Sequence, residues 1–173
     1  MGVNNMKLTR RAVLGGAVLA TTGLTNVTLA LAADPIKVWH HGGRGDGERG
    51  RMEALVKDWN AAHPDMPAVL EVQPEGAYNE QVQAAAASGG LPDLSDFDGP
   101  NYANYVWSGY LQPLNGLVSD ATIADVIPSL IAQGKYAPDG KHVTGNGGWC
   151  WGITKGSKNA AATGKLLDFF MST

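Results

Sequence analysis

The sequence is poor in cysteine, in net positive charge and in hydrolytic motifs, and each shortage excludes a class of protein. Its one cysteine, Cys150, excludes an intrachain disulfide framework and lies too far along the 173 residues to be a lipoprotein anchor. Its 13 basic residues are outnumbered by 16 acidic ones, which is unfavourable for binding nucleic acid. Neither a nucleophile elbow nor a convincing carboxylate pair points to a secreted hydrolase.

The first 32 residues have the pattern of an export signal. Lys7, Arg10 and Arg11 form a basic start, an apolar run follows from Ala12 to Leu31, and Ala30–Ala32 supplies a small-x-small cleavage pattern. The glycines and threonines inside the run, together with the cleavage pattern, argue against a permanent membrane anchor. We therefore expect a periplasmic mature form, cleaved near Ala32 and not inserted in the membrane.

The start of this segment indicates a particular export route. The sequence Thr9–Leu14 resembles a twin-arginine signal, although Val13 stands where phenylalanine is commoner. A general secretory signal with two adjacent arginines is the alternative. The segment carries three basic residues and no acidic one, so its removal changes the net charge from −3 to −6. An acidic, soluble protein without a nucleic-acid partner is expected.

The mature chain opens with a predicted apolar strand, Ile36–His40, that leads into a glycine-rich stretch and then a helix. Five glycines fall between Gly42 and Gly50. Glycine tolerates positive φ and has no side chain to hold another molecule away. A strand, a glycine-rich turn and a helix N-terminus form a ligand-facing edge of an α/β sheet. The alternative is an ordinary solvated loop.

Strands and helices alternate along the next part of the chain. The first helix is predicted to begin near Glu48 and to end before Pro64, with an apolar stripe of Met52, Leu55, Val56 and Trp59. The further predicted elements are a strand Val69–Gln73, a helix Tyr78–Ser88 stopped by Gly89, a strand Leu94–Phe97, a helix from about Asn101 to Ser108, a helix capped by Ser119 or Asp120, and a closing helix capped near Asn159 with Ala162, Leu166, Phe169 and Phe170 inward. This order predicts an α/β fold with a parallel sheet and helices on both faces, which binds ligands beyond the carboxyl ends of its strands.

Four segments together carry a family resemblance. They are WHHGGRGDGERG after the first strand, PEGAYNEQVQAAAASGGLPDL, DFDGPNYANYVWSGYLQPL and GGWCWGITKGSKNAAATGKLLDFFMS. As a set they resemble the extracellular sugar-binding proteins of ABC importers, the large family that includes the maltose-binding protein. The resemblance implies two α/β lobes of the type II periplasmic-binding fold that close around a sugar and deliver it to a membrane permease. It implies a carbohydrate-binding component without enzymatic activity and without a cofactor.

The chain is shorter than that family requires. Without the first 32 residues it has 141, which is about one lobe's worth. We expect an N-terminal lobe over residues 33–140, joined around His142–Gly147 to a strand and helix over 141–173 that resemble the end of the family. The second lobe is then missing, and an internally deleted copy of this kind would have impaired ligand closure.

Sugars present hydroxyl groups and flat apolar C–H faces, so their sites combine carboxylates and amides with an aromatic plate. The expected ligand-binding residues are His41, Arg44, Asp46, Tyr78, Asp98, Trp149 and Trp151. Asp98 and Asp46 can accept hydrogen bonds from hydroxyl groups, and charged acceptors make the stronger bonds. His41 can donate one, and Arg44 suits an acidic sugar. Trp149 is the best candidate for the plate.

Most of these residues also have a structural alternative. Asp98 can close its own Asp-Gly-Pro turn. Asp46 and Glu48 can cap the following helix, where acidic groups favour the helix dipole, and Glu48 suits this role better. Arg44 can pair with Asp46. Tyr78 can be the first core residue of its helix, and Trp151 can belong to the core.

Two other ligand classes are disfavoured. His40 and His41 suggest zinc, but adjacent residues on a strand point to opposite faces, so no metal site is expected. Gly45–Gly50 matches GxGxxG, with Glu71 about twenty residues on, as in an exported dinucleotide-binding oxidoreductase. However, the first glycine lies beyond the tight turn of the strand, and the acidic residues of this loop would place negative charge beside a pyrophosphate.

Overall fold

The structure, a computed structural model, describes residues 34–43, 46–126, 128 and 149–172, except for the side chains of residues 100, 102 and 149. Its strands are β1 (Ile36–His40), β2 (Ala68–Val72), β3 (Leu94–Asp98) and β4 (Trp149–Ile153). Its α-helices are α1 (Asp46–Ala62), α2 (Tyr78–Ser88), α3 (Gly99–Trp107), α4 (Asp120–Asp125) and α5 (Ala160–Met171), and a short 3₁₀ helix spans Glu75–Ala77. Within this part of the chain, no helix is long and apolar enough to cross a membrane.

The four strands form one mixed sheet in the order β2-β1-β3-β4. β1 lies parallel to both β2 and β3, which confirms the predicted parallel unit. β4 runs antiparallel to β3, with Asp98 opposite Trp149 and Leu94 opposite Ile153. The predicted parallel-type sheet is therefore confirmed for the first three strands, and β4, for which no direction was predicted, makes the sheet mixed.

Helices cover both faces of the sheet, as the alternating order predicts. On one face the strands pack against α1 and α5 through a cluster that includes Val38, Trp59 and Leu166. On the other face they pack against α2 and α3 through a second cluster that includes Tyr78, Phe97 and Tyr105. Strand β3 is therefore buried on both faces, as is usual for parallel strands, whereas β1 is fully buried only on the face towards α1 and α5.

The predicted ends of α2 and α4 are confirmed. Gly89 follows α2 with a φ of 72°, a conformation that favours glycine, and the Gly90 N–H donates to the Ala85 carbonyl oxygen at 2.8 Å. The Ser119 hydroxyl oxygen accepts from the N–H of Thr122 at 3.1 Å and caps α4. Asn159 precedes α5 as predicted, but its side chain makes no capping bond.

The closing helix α5 packs on the rest of the lobe. Leu166 and Leu167 are buried in the core, with Thr163 and Gly164, while Ala162, Phe169 and Phe170 are partly buried. The Asp168 carboxylate accepts from the N–H of Ser119 with both oxygens, at 2.9 and 3.0 Å. Strand β4 and helix α5 thus complete this lobe as an edge strand and a covering helix. The predicted junction around His142–Gly147 lies outside the described residues.

Candidate functional site

The carboxyl ends of the three parallel strands meet at one edge of the sheet. There β1 ends at His40, β2 at Val72 and β3 at Asp98. The N–H of Gln73 donates to the His40 carbonyl oxygen at 2.8 Å, which joins the loops that follow β1 and β2. Gly42 has a φ of 86°, and a Cβ atom there would lie 3.1 Å from the Val72 side chain. The glycine loop therefore lies directly on the end of β2.

Four side chains converge at this edge and form what we call the histidine cluster: His40, His41, Glu48 and Asp96. His40, His41 and Asp96 are buried, with relative exposures of 3%, 3% and 2%. The two imidazole rings stack with centroids 4.6 Å apart. His41 Nδ1 lies 2.5 Å from Asp96 Oδ2, and the His41 N–H donates to Asp96 Oδ1 at 3.2 Å. Asp96 thus holds both the backbone and the ring of His41.

The prediction that the two histidines point to opposite faces is wrong. Side chains alternate only while the backbone stays extended, and β1 ends at His40, so His41 already belongs to the loop. Its ring turns back towards Asp96, which lies on the neighbouring strand β3. The argument against a shared ligand therefore fails, because His40, His41 and Asp96 offer ligand atoms within 4.8 Å of one another.

Glu48 brings the start of α1 into the cluster. Its Oε1 atom lies 3.7 Å from Nε2 of His40 and 3.7 Å from Nε2 of His41, and its side chain is half-exposed. Gly43 has a φ of 61°, and a Cβ atom at this position would collide with the Glu48 side chain. A glycine is therefore required at residue 43 both for the backbone and to leave room for Glu48.

The two histidines differ in their affinity for a proton. Burial lowers the pKa of His40 below its ordinary value, although the charge of Asp96 opposes this effect. Burial also acts to lower the pKa of His41, but its hydrogen bond to Asp96 and the nearby carboxylate charges outweigh burial and raise the pKa. His41 is therefore the protonated member of the pair when only one of them is charged.

Tyr78 lies beside the cluster and has the surroundings of a core residue. It is 1% exposed, and its hydroxyl group lies 2.6 Å from the Ser95 hydroxyl. Burial, followed by the charge of Asp96, raises the pKa of Tyr78, so the phenol stays protonated. This placement favours the alternative that Tyr78 is the first core residue of its helix and does not contact a ligand.

Asp98 and Asp46 lie at the expected edge and differ in their exposure. Asp98 is half-buried at the junction of β3 and α3, and its side chain makes no capping hydrogen bond. The proposed turn-closing role is thus not seen at the helix N-terminus. Asp46 is the first residue of α1 and is exposed. Arg44, in the glycine loop, lies outside the described residues.

Strand β4 carries two tryptophans and is separated from β1 by β3. Trp151 is half-buried, with its ring centroid 6.1 Å from that of His40 and 5.8 Å from that of Phe170. It therefore joins the helix-covered core on one side and the histidine cluster on the other. Trp149 pairs through its backbone with Asp98, and its side chain lies outside the described part of the chain.

The GxGxxG segment has the wrong local structure for a dinucleotide. Helix α1 begins at Asp46, so Gly47 and Gly50 are helical, and a Cβ atom at either position would meet nothing within 4 Å. The glycines of a dinucleotide loop instead make a tight turn and a close helix contact. Glu71 accepts from the Trp39 indole N–H at 2.7 Å. Among the described residues of this region, nothing supports the oxidoreductase alternative.

Asp96 is the residue of this site that sequence reasoning missed. It lies in the segment Leu94–Phe97, which is predicted as a short strand and which the structure extends to Asp98. Within that predicted segment it is the charged residue. A buried carboxylate needs a partner, so a charged residue inside a predicted strand indicates that a partner side chain lies nearby. Its partner, His41, is 55 residues away in the sequence, which sequence spacing alone does not reveal.

A cavity of about 360 Å³ lies at the opposite edge of the sheet. Its lining includes Lys37, Asp93 and Gly156. The Asp93 carboxylate already accepts from the Lys37 N–H at 2.9 Å and from the Ser157 hydroxyl at 2.5 Å. This carboxylate thus connects β1 to β3 and to the turn after β4, and the carboxyl edge remains the better candidate.

Comparison with protein families places these elements in a known group. The family model of the bacterial extracellular solute-binding proteins matches residues 45–136, which is more than half of the chain. This match begins in the glycine loop and covers α1 to α4. No curated protein sequence matches the chain.

Solved structures share the fold. The GacH receptor of Streptomyces glaucescens, solved unliganded and with acarbose, is 25% identical with a TM-score of 0.55, over 64% of this chain and 28% of the receptor. The cyclic alpha-maltosyl-1,6-maltose binding protein of Arthrobacter globiformis is 28% identical with a TM-score of 0.58, over 65% of this chain and 28% of that protein. The maltotriose-bound MalE domain of Bdellovibrio bacteriovorus, at 19% identity and a TM-score of 0.53, shows the fold alone. The chain thus spans 28% of the length of these proteins.

Proposed function

Because this chain belongs to the family of bacterial extracellular solute-binding proteins, we propose that its carboxyl edge binds a carbohydrate for an ABC importer. The observation that carries the proposal is the family match over residues 45–136, which includes the loops that follow β2 and β3 at that edge. Two similar structures with at least 25% identity are a receptor solved with acarbose and a maltosyl-maltose binding protein. Both ligands in those descriptions are oligosaccharides.

The chemistry of the edge suits hydroxyl-rich ligands. Asp98 offers a half-buried carboxylate without a capping bond, and Asp46 offers an exposed one on the first turn of α1. Hydrogen bonds from hydroxyl groups to carboxylates are the stronger kind. His41 and Arg44 are the proposed donors, and Trp149 is the proposed plate for a sugar face. Trp151 lies between the core and the histidine cluster, with its ring 6.1 Å from that of His40.

The same family membership supports an exported location. We propose that residues 1–32 direct export, by the twin-arginine or the general secretory route, and are removed near Ala32. The mature protein then meets its permease in the periplasm and acts as a binding component, not as an enzyme.

We further propose that the chain supplies one wall of the usual two-lobed site. Strand β4 and helix α5 are part of the same lobe as β1 to β3, and the expected junction lies near His142–Gly147. A ligand held on one side leaves much of its surface in water, so affinity should be weak. Lobe closure, in which a ligand stabilises the closed state by contacting both walls, would be impaired.

A ligand screen tests this proposal. The purified chain is melted with a panel of mono- and oligosaccharides and with NAD(P), because a ligand of the native state raises the melting temperature. We expect a shift with one class of oligosaccharide and a dissociation constant weaker than micromolar. A shift with NAD(P) alone would contradict the proposal, and so would cooperative melting that no sugar changes.

A further inference from the structure

The histidine cluster contains more metal-ligating chemistry than carbohydrate binding requires. Two buried imidazoles and two carboxylates meet within one small volume. Of these four, only His41 is also a proposed sugar contact, and because its Nδ1 pairs with Asp96, an ion at Nε2 would replace that contact. We propose that this cluster binds a divalent transition-metal ion of the Zn²⁺ type, with His40, His41 and Glu48 as ligands and Asp96 as the residue that positions His41.

The spacing of the proposed ligand atoms is close to that of a tetrahedral site. Nε2 of His40 and Nε2 of His41 each lie 3.7 Å from Oε1 of Glu48. Zinc bonds to nitrogen and oxygen of about 2.0–2.2 Å place neighbouring ligand atoms of a tetrahedron about 3.4 Å apart. A contraction of a few tenths of an ångström by the half-exposed Glu48 side chain would bring both of these distances to the tetrahedral value.

Asp96 gives His41 the orientation that metal-binding histidines usually have. Metal-bound imidazoles almost always donate their other ring N–H to a carboxylate or a carbonyl group. His41 Nδ1 lies 2.5 Å from Asp96 Oδ2, and this bond directs Nε2 of the same ring towards Glu48. Both partners are buried, so the ring is fixed before an ion arrives, while the half-exposed Glu48 lies on the side from which an ion enters.

His40 links the ion to the glycine loop. Its Nδ1 atom accepts the Gly42 N–H at 3.0 Å, so the proton of the neutral ring is on Nε2. Coordination through Nε2 moves that proton to Nδ1, and the hydrogen bond from Gly42 must then break. Gly42 and Gly43 have φ values of 86° and 61°, and the freedom of glycine allows this loop to readjust. Metal binding is therefore expected to move the loop that we propose for carbohydrate.

Zinc titration of three forms of the chain tests this proposal without any sugar. The purified, metal-stripped chain is titrated with Zn²⁺ by calorimetry, in the natural form and as Glu48→Gln and Glu53→Gln. Glu53 is the matched control, because it lies on the same helix, is similarly exposed and pairs only with Arg49 among the described residues. Both substituted residues are half-exposed or more, so both variants should fold, as circular dichroism will verify.

We expect one zinc ion per chain, affinity reduced about tenfold or more in Glu48→Gln, and natural affinity in Glu53→Gln. We also expect the amide NMR signals of Gly42 and Gly43 to shift on zinc binding in the natural form. The absence of saturable one-to-one binding would overturn the proposal and leave the cluster as a hydrogen-bonded network. Equal affinity in Glu48→Gln and the natural form would overturn it as well, because the ion would then bind elsewhere.

Discussion

At the scale of single residues, the carboxyl edge separates groups that hold the fold together from groups that remain available to a ligand. Asp96 and Tyr78 belong to the first kind, since both are buried and bonded to neighbouring side chains. Asp98 belongs to the second, since it is half-buried at the end of β3 and makes no capping bond. The two aspartates are two positions apart and so lie on the same face of β3. Their environments differ because Asp98 is the last residue of the strand and Asp96 is inside it.

Replacing Asp98 tests whether this carboxylate binds ligand. In Asp98→Asn, the dissociation constant for the sugar found by screening should rise about tenfold, because a hydrogen bond to a charged group contributes about 1.5–3 kcal/mol. The free energy of unfolding should change by less than about 0.5 kcal/mol, because the side chain caps no helix. Calorimetric titration and urea denaturation measure the two quantities.

Asp58→Asn, on the exposed side of α1, is the control and should change neither quantity. An unchanged sugar affinity in Asp98→Asn would mean that this residue does not belong to the binding site. A loss of stability as large as the loss of binding would instead assign it a structural role.

At the scale of elements, the sequence predicts the order and most boundaries because each element has a local signal. The apolar spacing of Met52, Val56 and Trp59 predicts α1, and all three residues are buried. Gly89 marks the end of α2 through its positive φ. The contacts of α5 had no such signal, because they depend on Leu117 and Ser119, which are more than 40 residues earlier in the sequence.

The glycines of α1 and α5 provide a test of this packing. In Gly164→Ala, the new Cβ atom would collide with the backbone of Leu117, and overpacking against a fixed backbone should cost about 1–3 kcal/mol. In Gly50→Ala, nothing lies within 4 Å of the new atom, so removal of a helical glycine should stabilise the chain by about 0.5–1 kcal/mol. Urea denaturation of both variants measures the difference.

The two substitutions are chemically identical, so their opposite signs would come from packing alone. A stabilising Gly164→Ala would mean that α5 does not lie on the Leu114–Val118 segment. A destabilising Gly50→Ala would mean that this glycine has a contact that the α1 geometry does not contain.

At the scale of the whole molecule, the fold class and the carboxyl edge follow from the sequence, whereas the histidine cluster does not. Alternating strands and helices require parallel strands, and parallel strands bring their following loops to one edge. The convergence of His41 and Asp96 depends on where β1 stops, and one residue more of extended backbone would have turned His41 to the other face. The antiparallel direction of β4 likewise depends on a connection that lies outside the described residues.

The central claim is that carbohydrate binds at the carboxyl edge of the sheet, and amide NMR mapping of the bound sugar tests it most directly. Signals of His41, Gly42, Gly43, Asp98 and Asn101 should shift as the sugar saturates the chain. Signals of Gly89, Asp93 and Gly156, around the cavity at the opposite edge, should stay in place. Shifts confined to that cavity, or no shifts at any sugar concentration, would contradict the account.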